Sequence, residues 1–549
     1  MALKHVNAVV VGAGAGGGVV AKELSEAGLS VVLLERGGWV SFETEGHDEL
    51  RNQRTTVLGN SCGPDDRHPR VVANGPGKWK TVLPNQGGYG NNAACVGSGT
   101  VSYGAMAWRF AEKDFEMRST YGELAGSTLA DWPIRYADLE PYYEKAEHEI
   151  GVAGDMSANP FSPPRRKPYP MPGFSYNREG KLLDAAAKRL GFHPFPIPML
   201  RNSVPYGGRN ACIHNRYCCG FACPNNAKNG THNTVIPRAI ATGTCELRTH
   251  CIVSEVVVDD RGIARGVKYF DADHRAQFQT ADLVVIAGAA VETARLLLNS
   301  KSKLFPNGAG NRYDWVGRNL QGHAYSGARG LFAEDIYDDV GPGATIAISD
   351  FNHGNPGIRG GAALCNEFIR PPYAFSGQRP SGEARWGKEH KDYQRQYFKR
   401  NASVQGPVQE MPVFDARVEV DPTVKDAWGI PVARLSGSRH PHDIEIGRFI
   451  AAKAEQWLKE AGAIRTWTSV PGLGLSGGQH QAGTCRMGDD PKTSVTNRYG
   501  QLHEIDNLFI ADGSLHVTNG GFNPALTIMA LGYWVGHYIC SEWKAGKLI

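Results

Sequence analysis

Residues 5–35, HVNAVVVGAGAGGGVVAKELSEAGLSVVLLE, decide the fold that we expect for this chain. The β-branched run at residues 5–11 predicts a buried strand, and residues 30–34 predict a second one. A glycine-rich turn follows the first strand and leads into residues 19–27, which have helical character. This order of elements predicts a βαβ unit with parallel strands.

Three glycines, Gly12, Gly14 and Gly17, form a G-x-G-x-x-G motif in that turn. Such glycines allow a tight turn, close approach to a pyrophosphate and close helix–strand packing, and the helix N-terminus then faces the phosphates. Glu35 closes the second strand about twenty positions further on, where an acidic residue binds an unphosphorylated ribose. The residues therefore predict a dinucleotide site, for FAD or NAD, in preference to a purely structural turn.

The composition limits the class of protein. With 549 residues the chain is too long for one core, and two packed domains or one large domain with insertions are expected. The net charge of +4 is too small and too evenly spread to indicate nucleic-acid binding. No apolar run approaches the roughly 20 residues of a membrane span. The N-terminal apolar run is explained by the first strand, so we expect no export signal on this chain.

The predicted segments indicate an α/β nucleotide-binding fold within a chain that is α+β overall. We expect a Rossmann-like nucleotide-binding domain over residues 1–324, with residues 282–288 as a further parallel strand. Residues 325–467 have hairpin-like segments and predict a substrate-binding domain on a mainly antiparallel sheet. One clear helix is predicted there at residues 446–461, from its apolar stripe. Residues 468–549 are expected to return to the first domain.

The C-terminal region carries the strongest chemical signal. QHQAGTCRMG at residues 479–488 contains His480, and LFIADGSLHVTNGGFNPALTIMALG at residues 508–532 contains Asn523. A neutral imidazole, with an ordinary pKa near 6.5, can take a hydroxyl proton near neutral pH. An amide can hold the same oxygen without competing for the proton. The pair predicts redox chemistry on an alcohol, with His480 as the base.

A cysteine-rich segment lies between the two regions, in an insert at about residues 205–230. It reads NACIHNRYCCGFACPNNAK and contains Cys212, Cys218, Cys219 and Cys223. Such crowding favours a metal cluster over a disulfide framework. Zinc would require C-x2-C pairs, which this segment lacks. Three thiolates suit a [3Fe–4S] cluster and four suit [4Fe–4S]; a disulfide or plain buried thiols remain the alternatives.

Together these motifs resemble the glucose–methanol–choline (GMC) family of flavin oxidoreductases. The resemblance covers nearly the whole chain and rests on these further blocks: VGSGTVSYGAMAWRF from Val96, DWPIRYADLEPYYEKAE from Asp131, VVIAGAAVETARLLLNS from Val284 and VDPTVKDAWGIPVARL from Val420. It implies the GMC fold and FAD in place of NAD. Ser102 and Tyr103 stand where some relatives have a flavin-linking histidine, so it implies non-covalent FAD.

The resemblance also implies roles for individual residues. His480 matches the catalytic histidine, and Asn523 matches the second active-site position. The remaining matches are expected near the cofactor: Asp512 and Gly513 near the ribityl–pyrophosphate, Val253 near adenine, and Gly97 to Thr100 in the loop under the isoalloxazine ring. Gln479, Gln409 and Glu410 are expected, from position alone, to contact the substrate.

The cysteine segment resembles that of the iron–sulfur catalytic subunits of bacterial FAD-dependent glucose and glucoside 3-dehydrogenases. This implies a [3Fe–4S] cluster held by Cys212, Cys223 and either Cys218 or Cys219. It also implies a small subunit with a twin-arginine signal, a cytochrome or quinone acceptor, and a periplasmic or membrane-associated location through that partner. Without a partner, a cytoplasmic location is expected.

The expected reaction is oxidation of a secondary hydroxyl of a glucoside or related sugar, with C3 favoured and a non-oxygen acceptor. The alternatives are a dehydrogenase of glucose C1, gluconate or a polyol, an oxygen-using sugar oxidase, and a catalytically silent electron carrier.

Overall fold

A computed structural model describes residues 4–45, 48, 50, 62–366, 371–476 and 478–548. The strands of the described part are, in chain order, β1 (Val6–Val11), β2 (Val31–Leu34), β3 (Arg70–Ala73), β4 (Trp79–Val82), β5 (Ala153–Gly154), β6 (Met171–Pro172), β7 (Phe195–Pro196), β8 (Cys245–Arg248), β9 (Ile252–Val258), β10 (Ala264–Phe270), β11 (Ala276–Ile286), β12 (Tyr325–Leu331), β13 (Ile346–Ile348), β14 (Leu364–Asn366), β15 (Asn401–Pro407), β16 (Arg417–Lys425), β17 (Pro431–Ser436), β18 (Arg465–Ser469), β19 (Gln501–Leu502) and β20 (Ile505–Ile510).

The α-helices of the same residues are α1 (Ala15–Glu26), α2 (Phe42–Glu45), α3 (Glu112–Phe115), α4 (Met117–Tyr121), α5 (Tyr136–Ala146), α6 (Arg178–Arg189), α7 (Val235–Ala241), α8 (Ala290–Asn299), α9 (Pro372–Ser376), α10 (Gly387–Tyr397), α11 (Pro441–Glu460) and α12 (Ala525–Lys544). None of these helices is both long and apolar enough to cross a bilayer.

The predicted βαβ unit is present and forms the centre of a parallel sheet. The spatial order is β20–β11–β1–β2–β8, and each of these neighbours pairs in parallel. Val9 and Val10 of β1 have no exposed surface, as expected for a strand covered on both faces. The long strand β11 leaves this sheet at its N-terminal half and pairs antiparallel with β10, which pairs with β9.

A second sheet is antiparallel and has the order β18–β12–β15–β14–β13–β7. Helix α11 packs on it, and its Trp457 is fully buried among apolar side chains of the sheet and of α6. The indole Nε1 of Trp457 donates to the Leu183 carbonyl oxygen at 2.8 Å. Most strands of this sheet come from the segment predicted to form the substrate domain.

Two details differ from the expectations. Strands β16 and β17, inside residues 325–467, form a separate four-stranded sheet with β3 and β4. Helix α11 begins at Pro441, five residues before the predicted start at residue 446. The prediction missed the first turn because an apolar stripe marks only the buried face of a helix. Its first turn is polar, and the His440 side chain caps it by accepting from the His442 backbone N–H at 3.1 Å.

Replacement of Trp457 by alanine should destabilise the second sheet. The change leaves a large cavity and removes the donor of the Leu183 carbonyl, so we expect a loss of about 3–5 kcal/mol in the free energy of unfolding. Chemical denaturation of the purified protein measures this loss. Trp386→Ala is the matched control, because Trp386 is 85% exposed and its loss should change stability by less than about 0.5 kcal/mol. Equal effects of the two substitutions would contradict the assignment of Trp457 to this core.

Candidate active site

A cavity of about 870 Å³ lies at the carboxyl ends of the parallel strands. Its walls come from segments that are far apart in the sequence, around Gly14, Asn91, Tyr103, Val253 and Gly513. Ligands of open parallel sheets bind at this edge. The volume is at the upper end of ordinary ligand pockets, which suits a group as large as a dinucleotide.

The glycine motif forms one wall of the cavity, and its three members have different roles. Gly12 has a φ of +102°, and a Cβ there would lie 2.4 Å from the Ala287 carbonyl oxygen. A Cβ at Gly17 would lie 1.9 Å from the Gly12 carbonyl oxygen, so Gly17 serves close packing and does not line the cavity. Gly14 does line it, and it is the N-cap residue of α1, where no side chain caps the helix. The first backbone N–H groups of α1 are therefore available to phosphates.

Glu35 lies at the end of β2 and also lines the cavity. Its carboxylate accepts from the backbone N–H groups of Ala13 and Gly37, both at 2.9 Å. Burial raises the pKa of Glu35, although these hydrogen bonds oppose the shift. A carboxylate has about four acceptor positions, so two remain for the hydroxyls of a ribose. The site thus fits FAD, and Val253 on β9 lies on the same cavity wall.

Asp512 and Gly513 line the cavity at the end of β20. Asp512 accepts from Ser514 N–H at 2.8 Å, from Thr293 Oγ at 2.6 Å and from Ala289 N–H at 3.0 Å. Burial raises the pKa of Asp512, and these hydrogen bonds oppose the shift. The carboxylate thereby joins the end of β20 to the start of α8.

The loop from Gly97 to Thr100 has three members in the cavity wall and one behind it. Ser98, Gly99 and Thr100 line the cavity. Gly97 has a φ of +91° and packs against His232, where a Cβ would lie 2.7 Å from the His232 Cβ. Gly97 therefore shapes the loop from behind and is not part of the wall.

The structure brings His480 and Asn523 together in the cavity wall. Asn523 Nδ2 lies 3.4 Å from His480 Nε2 and donates to the Tyr325 hydroxyl at 3.0 Å. Trp108 Nε1 donates to Asn523 Oδ1 at 3.0 Å. The amide orientation is therefore determined on both sides, with the N–H₂ group directed towards His480. The sequence reasoning missed Trp108 and Tyr325, because nothing in their spacing points to the catalytic pair.

A second buried histidine, His323, was also missed. Its Nε2 lies 2.8 Å from the carbonyl oxygens of both Asn519 and Gly520, and its Nδ1 lies 2.9 Å from His480 Nδ1. Carbonyl oxygens only accept, so Nε2 of His323 carries the proton. Burial lowers the pKa of His323, which keeps its ring neutral and leaves Nδ1 as an acceptor. His480 must then donate from Nδ1, so its Nε2 lone pair is directed to the Asn523 side.

The three residues expected to contact the substrate occupy different positions. Gln479 is exposed and lines the cavity. Glu410 is buried and accepts from the backbone N–H of Gly322 at 3.0 Å, that of Ala324 at 2.9 Å and from Arg439 Nε at 2.6 Å. Gly322 and Ala324 flank His323, so Glu410 holds that histidine in place from behind the wall.

Gln409 lies outside the cavity wall as well. It has no exposed surface, and its Nε2 donates to Asp114 Oδ1 at 2.9 Å. Gln409 and Glu410, which were expected to contact the substrate, therefore bond to other groups of the protein. Position in the sequence could not separate a wall residue from one packed directly behind it.

The four cysteines of the insert lie around one buried guanidinium. Cys219 is buried and Cys212, Cys218 and Cys223 are half-buried, and none forms a disulfide. Burial alone would lower the pKa of Arg201, but the four cysteine side chains raise it. In the described part of the chain, no three His, Cys, Asp or Glu side chains are arranged to hold a metal ion. The thiols are thus near one another without forming a closed ligand set.

Arg201 and Lys228 give the cysteine segment a positive environment. Each is 1% exposed, and Arg201 Nε has no hydrogen-bond partner among the described residues. Lys228 Nζ donates to the carbonyl oxygens of Cys218 at 2.9 Å and Phe221 at 2.6 Å. Buried cations are normally paired with an anion. Burial raises the pKa of the Cys212 thiol, and the positive charge of Arg201 opposes this shift.

The cysteine segment contacts the cavity wall directly. The backbone N–H of Gly220 donates to the Ser102 carbonyl oxygen at 2.6 Å, and Arg201, which lies outside the segment, donates from Nη2 to the Gly104 carbonyl oxygen at 3.4 Å. Ser102 and Gly104 both line the large cavity. A group bound by the cysteines would therefore be one loop away from a group in the cavity.

Comparison with known proteins supports the same family for both halves of the chain. Two GMC oxidoreductase family models match, one over residues 171–325 and the other over residues 412–532. The chain is 30% identical to 2-methyl-1,2-propanediol dehydrogenase of Mycolicibacterium austroafricanum, over 97% of this chain and 95% of that protein. It is also 30% identical to 6'''-hydroxyparomomycin C oxidase of Streptomyces lividus, over 98% and 92% of the two chains.

Two further similarities agree with these. The gluconate 2-dehydrogenase flavoprotein of Pantoea cypripedii is 28% identical over 97% of this chain and 93% of its own. The crystal structure of pyridoxine 4-oxidase from Mesorbium loti superposes with a TM-score of 0.60 at 14% identity, covering 97% of this chain and 98% of that one, which confirms the fold. The resemblance seen in the sequence is thereby confirmed. The chain belongs to the GMC oxidoreductases, flavin-dependent enzymes that act on CH–OH groups of sugars and alcohols.

Proposed function

We propose that the protein is an FAD-dependent sugar dehydrogenase that oxidises a secondary hydroxyl, with C3 of a glucoside as the favoured position. The observation that carries the proposal is the arrangement of His480 and Asn523, whose Nε2 and Nδ2 lie 3.4 Å apart in the wall of the cavity that fits FAD. The names of the relatives, which include propanediol and gluconate dehydrogenases, support hydroxyl oxidation without deciding the position.

The residues of the wall can perform the proton half of this reaction. His480 Nε2 accepts the hydroxyl proton as the C–H bond of the same carbon breaks, and Asn523 Nδ2 donates to the substrate oxygen. His323 stabilises the tautomer of His480 that carries its proton at Nδ1 and its lone pair at Nε2. FAD, when bound, supplies the hydride acceptor. Trp108 and Tyr325 keep the Asn523 amide in the orientation that donates.

Anaerobic addition of single sugars tests the function. The flavin absorbance should bleach with a glucoside, and NMR of the product should show a keto group at C3. If glucose, gluconate or a polyol bleaches the flavin and the glucoside does not, the protein acts on that substrate class. The oxidised product of that substrate should then appear in the NMR spectrum. No bleaching with any hydroxylated substrate would contradict the proposal and favour a silent electron carrier.

We also propose that electrons leave through an iron–sulfur cluster, with a [3Fe–4S] cluster favoured. Cys212 and Cys223, with Cys218 or Cys219, would hold it, and it would serve as a one-electron acceptor. The two buried cations, Arg201 and Lys228, support a group of negative charge there. The acceptor would then be a small partner subunit that carries a twin-arginine signal, with a cytochrome or quinone beyond it, in the periplasm or at the membrane.

An oxygen-using oxidase is the second candidate, because a relative named as an oxidase is as similar as the first dehydrogenase, at 30% identity. Turnover with an artificial acceptor and turnover with oxygen separate the two. Fast peroxide formation by an iron-free protein would establish the oxidase.

Replacement of His480 by alanine should lower kcat by about 10²–10⁴-fold, because the substrate proton loses its acceptor. FAD should stay bound, since His480 is one of many residues in the wall. Stopped-flow bleaching of the flavin measures the rate, and the flavin content of the purified variant measures retention. A rate within a few-fold of the wild type would remove His480 from the proposed role.

Replacement of His323 by phenylalanine should lower kcat by about tenfold to a hundredfold, because it removes the acceptor of His480 Nδ1. We expect KM to change little and the pH profile of kcat to move, since the protonation of His480 is no longer constrained. His503→Phe is the control, because His503 contacts Ser494 away from the cavity. An unchanged pH profile in His323→Phe would contradict the positioning role.

Paired replacement of Cys212 and Cys223 by serine should abolish iron and acid-labile sulfide in the purified protein. Electron transfer to the partner should be lost, while substrate still bleaches the flavin. Cys245→Ser is the control, because Cys245 lies on β8 in the parallel sheet and should leave the iron content unchanged. A wild-type protein purified anaerobically without iron would overturn the cluster proposal and leave the hydroxyl oxidation intact.

A further inference from the structure

A second cavity, of about 360 Å³, lies on the other side of Trp108 and Phe522 from the catalytic pair. Its remaining walls come from the chain between Asp155 and Tyr169, the turn around Asn352, and Phe195 on β7. Nothing in the proposed reaction uses these walls. The cavity is large enough for one ring with several substituents.

One side chain in this cavity indicates a missing ligand. Asn352 is 4% exposed, and neither its Nδ2 nor its Oδ1 has a hydrogen-bond partner in the described structure. Its Oδ1 lies against the backbone of Gly521, directly before Phe522 in the wall. Buried amides almost always have partners. An amide both donates and accepts, and a hydroxyl group does the same, so a hydroxyl satisfies Asn352 better than a purely accepting group.

The charges of the walls argue against an anionic ligand. Arg109 and Arg165 line the cavity, but both form ion pairs with the buried Glu147, at 2.8 Å and 3.1 Å. The other charged groups of the walls are the carboxylates of Glu112, Asp155 and Asp350, the exposed Lys113, and His353, which bonds to Asp114 at 3.0 Å. Asp350 is bonded to His193 at 2.8 Å and Asp155 accepts from Ser157 Oγ at 2.7 Å, and both carboxylates keep further acceptor positions. They favour a ligand that presents O–H donors.

Aromatic side chains provide the apolar part of the cavity. Trp108 and Phe522 have ring centroids 5.6 Å apart, and Trp108 and Phe195 have centroids 5.9 Å apart in an edge-to-face arrangement. Phe161 borders the opening and is 49% exposed. Aromatic surfaces of this kind pack against the C–H face of a ring whose hydroxyls point outwards.

We infer that this cavity is an accessory binding site for a neutral polyhydroxylated ring, such as a sugar or a cyclitol. Asn352 and the carboxylates of Asp155 and Asp350 would bond to its hydroxyls, and the aromatic side chains would pack on its face. The site is separate from the reacting position, because Trp108 stands between them. The indole of Trp108 contacts both sites, since its Nε1 donates to Asn523 Oδ1.

Calorimetric titration of the FAD-loaded protein with myo-inositol and with methyl glucoside, followed in parallel by the flavin absorbance, tests the inference. The flavin spectrum reports ligand in the large cavity, while the heat reports all sites. For the wild-type protein, we expect the heat to report one more bound sugar or cyclitol per chain than the flavin absorbance reports. This additional ligand is the one in the second cavity. Asn352→Leu and Phe161→Ala should each lose this ligand or weaken its binding at least tenfold.

Trp386→Ala is the matched control, because this exposed aromatic residue lies outside both cavities. Phe161 is half exposed, so its replacement tests the site even where Asn352→Leu folds poorly. Gluconate should not displace the extra ligand. The inference would be overturned by equal binding in wild type, Asn352→Leu and Phe161→Ala, or by preferential binding of gluconate. Failure of the proposed reaction would affect only the flavin signal and is therefore distinguishable.

Discussion

The close contact between the first turn of α1 and the end of β20 is the constraint on which the rest of the structure depends. A Cβ at Gly16 would lie 1.7 Å from the Ala511 carbonyl oxygen, so only glycine allows this backbone approach. Gly532 of α12 packs on the same turn, where a Cβ would lie 3.1 Å from the Gly16 carbonyl oxygen. The two ends of the chain are thereby joined. The glycine motif, Asp512 and Asn523 can then share one cavity, although they come from opposite ends of the sequence.

The orientation of His480 and Asn523, the proposed catalytic pair, depends on a buried hydrogen-bond network and not on His480 alone. Backbone carbonyl oxygens fix the tautomer of His323, and His323 in turn fixes that of His480. Asn519 Nδ2 donates to the His480 carbonyl oxygen at 2.7 Å, and Glu410 holds the backbone on both sides of His323. In the proposed reaction these contacts would hold His480 ready to accept a proton without rearrangement of its ring.

Two further regions adjoin the same cavity. The cysteine segment contacts the loop at Ser102, and the accessory cavity is lined by Trp108, which also donates to Asn523. The proposed iron–sulfur cluster and the proposed second ligand would therefore each lie behind a wall of the large cavity. Neither would enter that cavity.

The sequence by itself determined the βαβ unit, the glycine motif and the family, and it predicted the pair of His480 and Asn523 that the structure brings together in the cavity wall. Their signals are local: strand patterns, glycine spacing and short motifs act over a few residues. It did not reveal His323, Trp108 or Tyr325, and it placed Gln409 and Glu410 on the substrate side of a wall behind which they are packed. It also did not predict that β16 and β17 form a separate sheet with β3 and β4. Only the tertiary structure decided these points, because they depend on contacts between residues far apart in the sequence, such as Ala324 and Glu410, 86 positions apart, or His323 and His480, 157 positions apart, which no local pattern encodes.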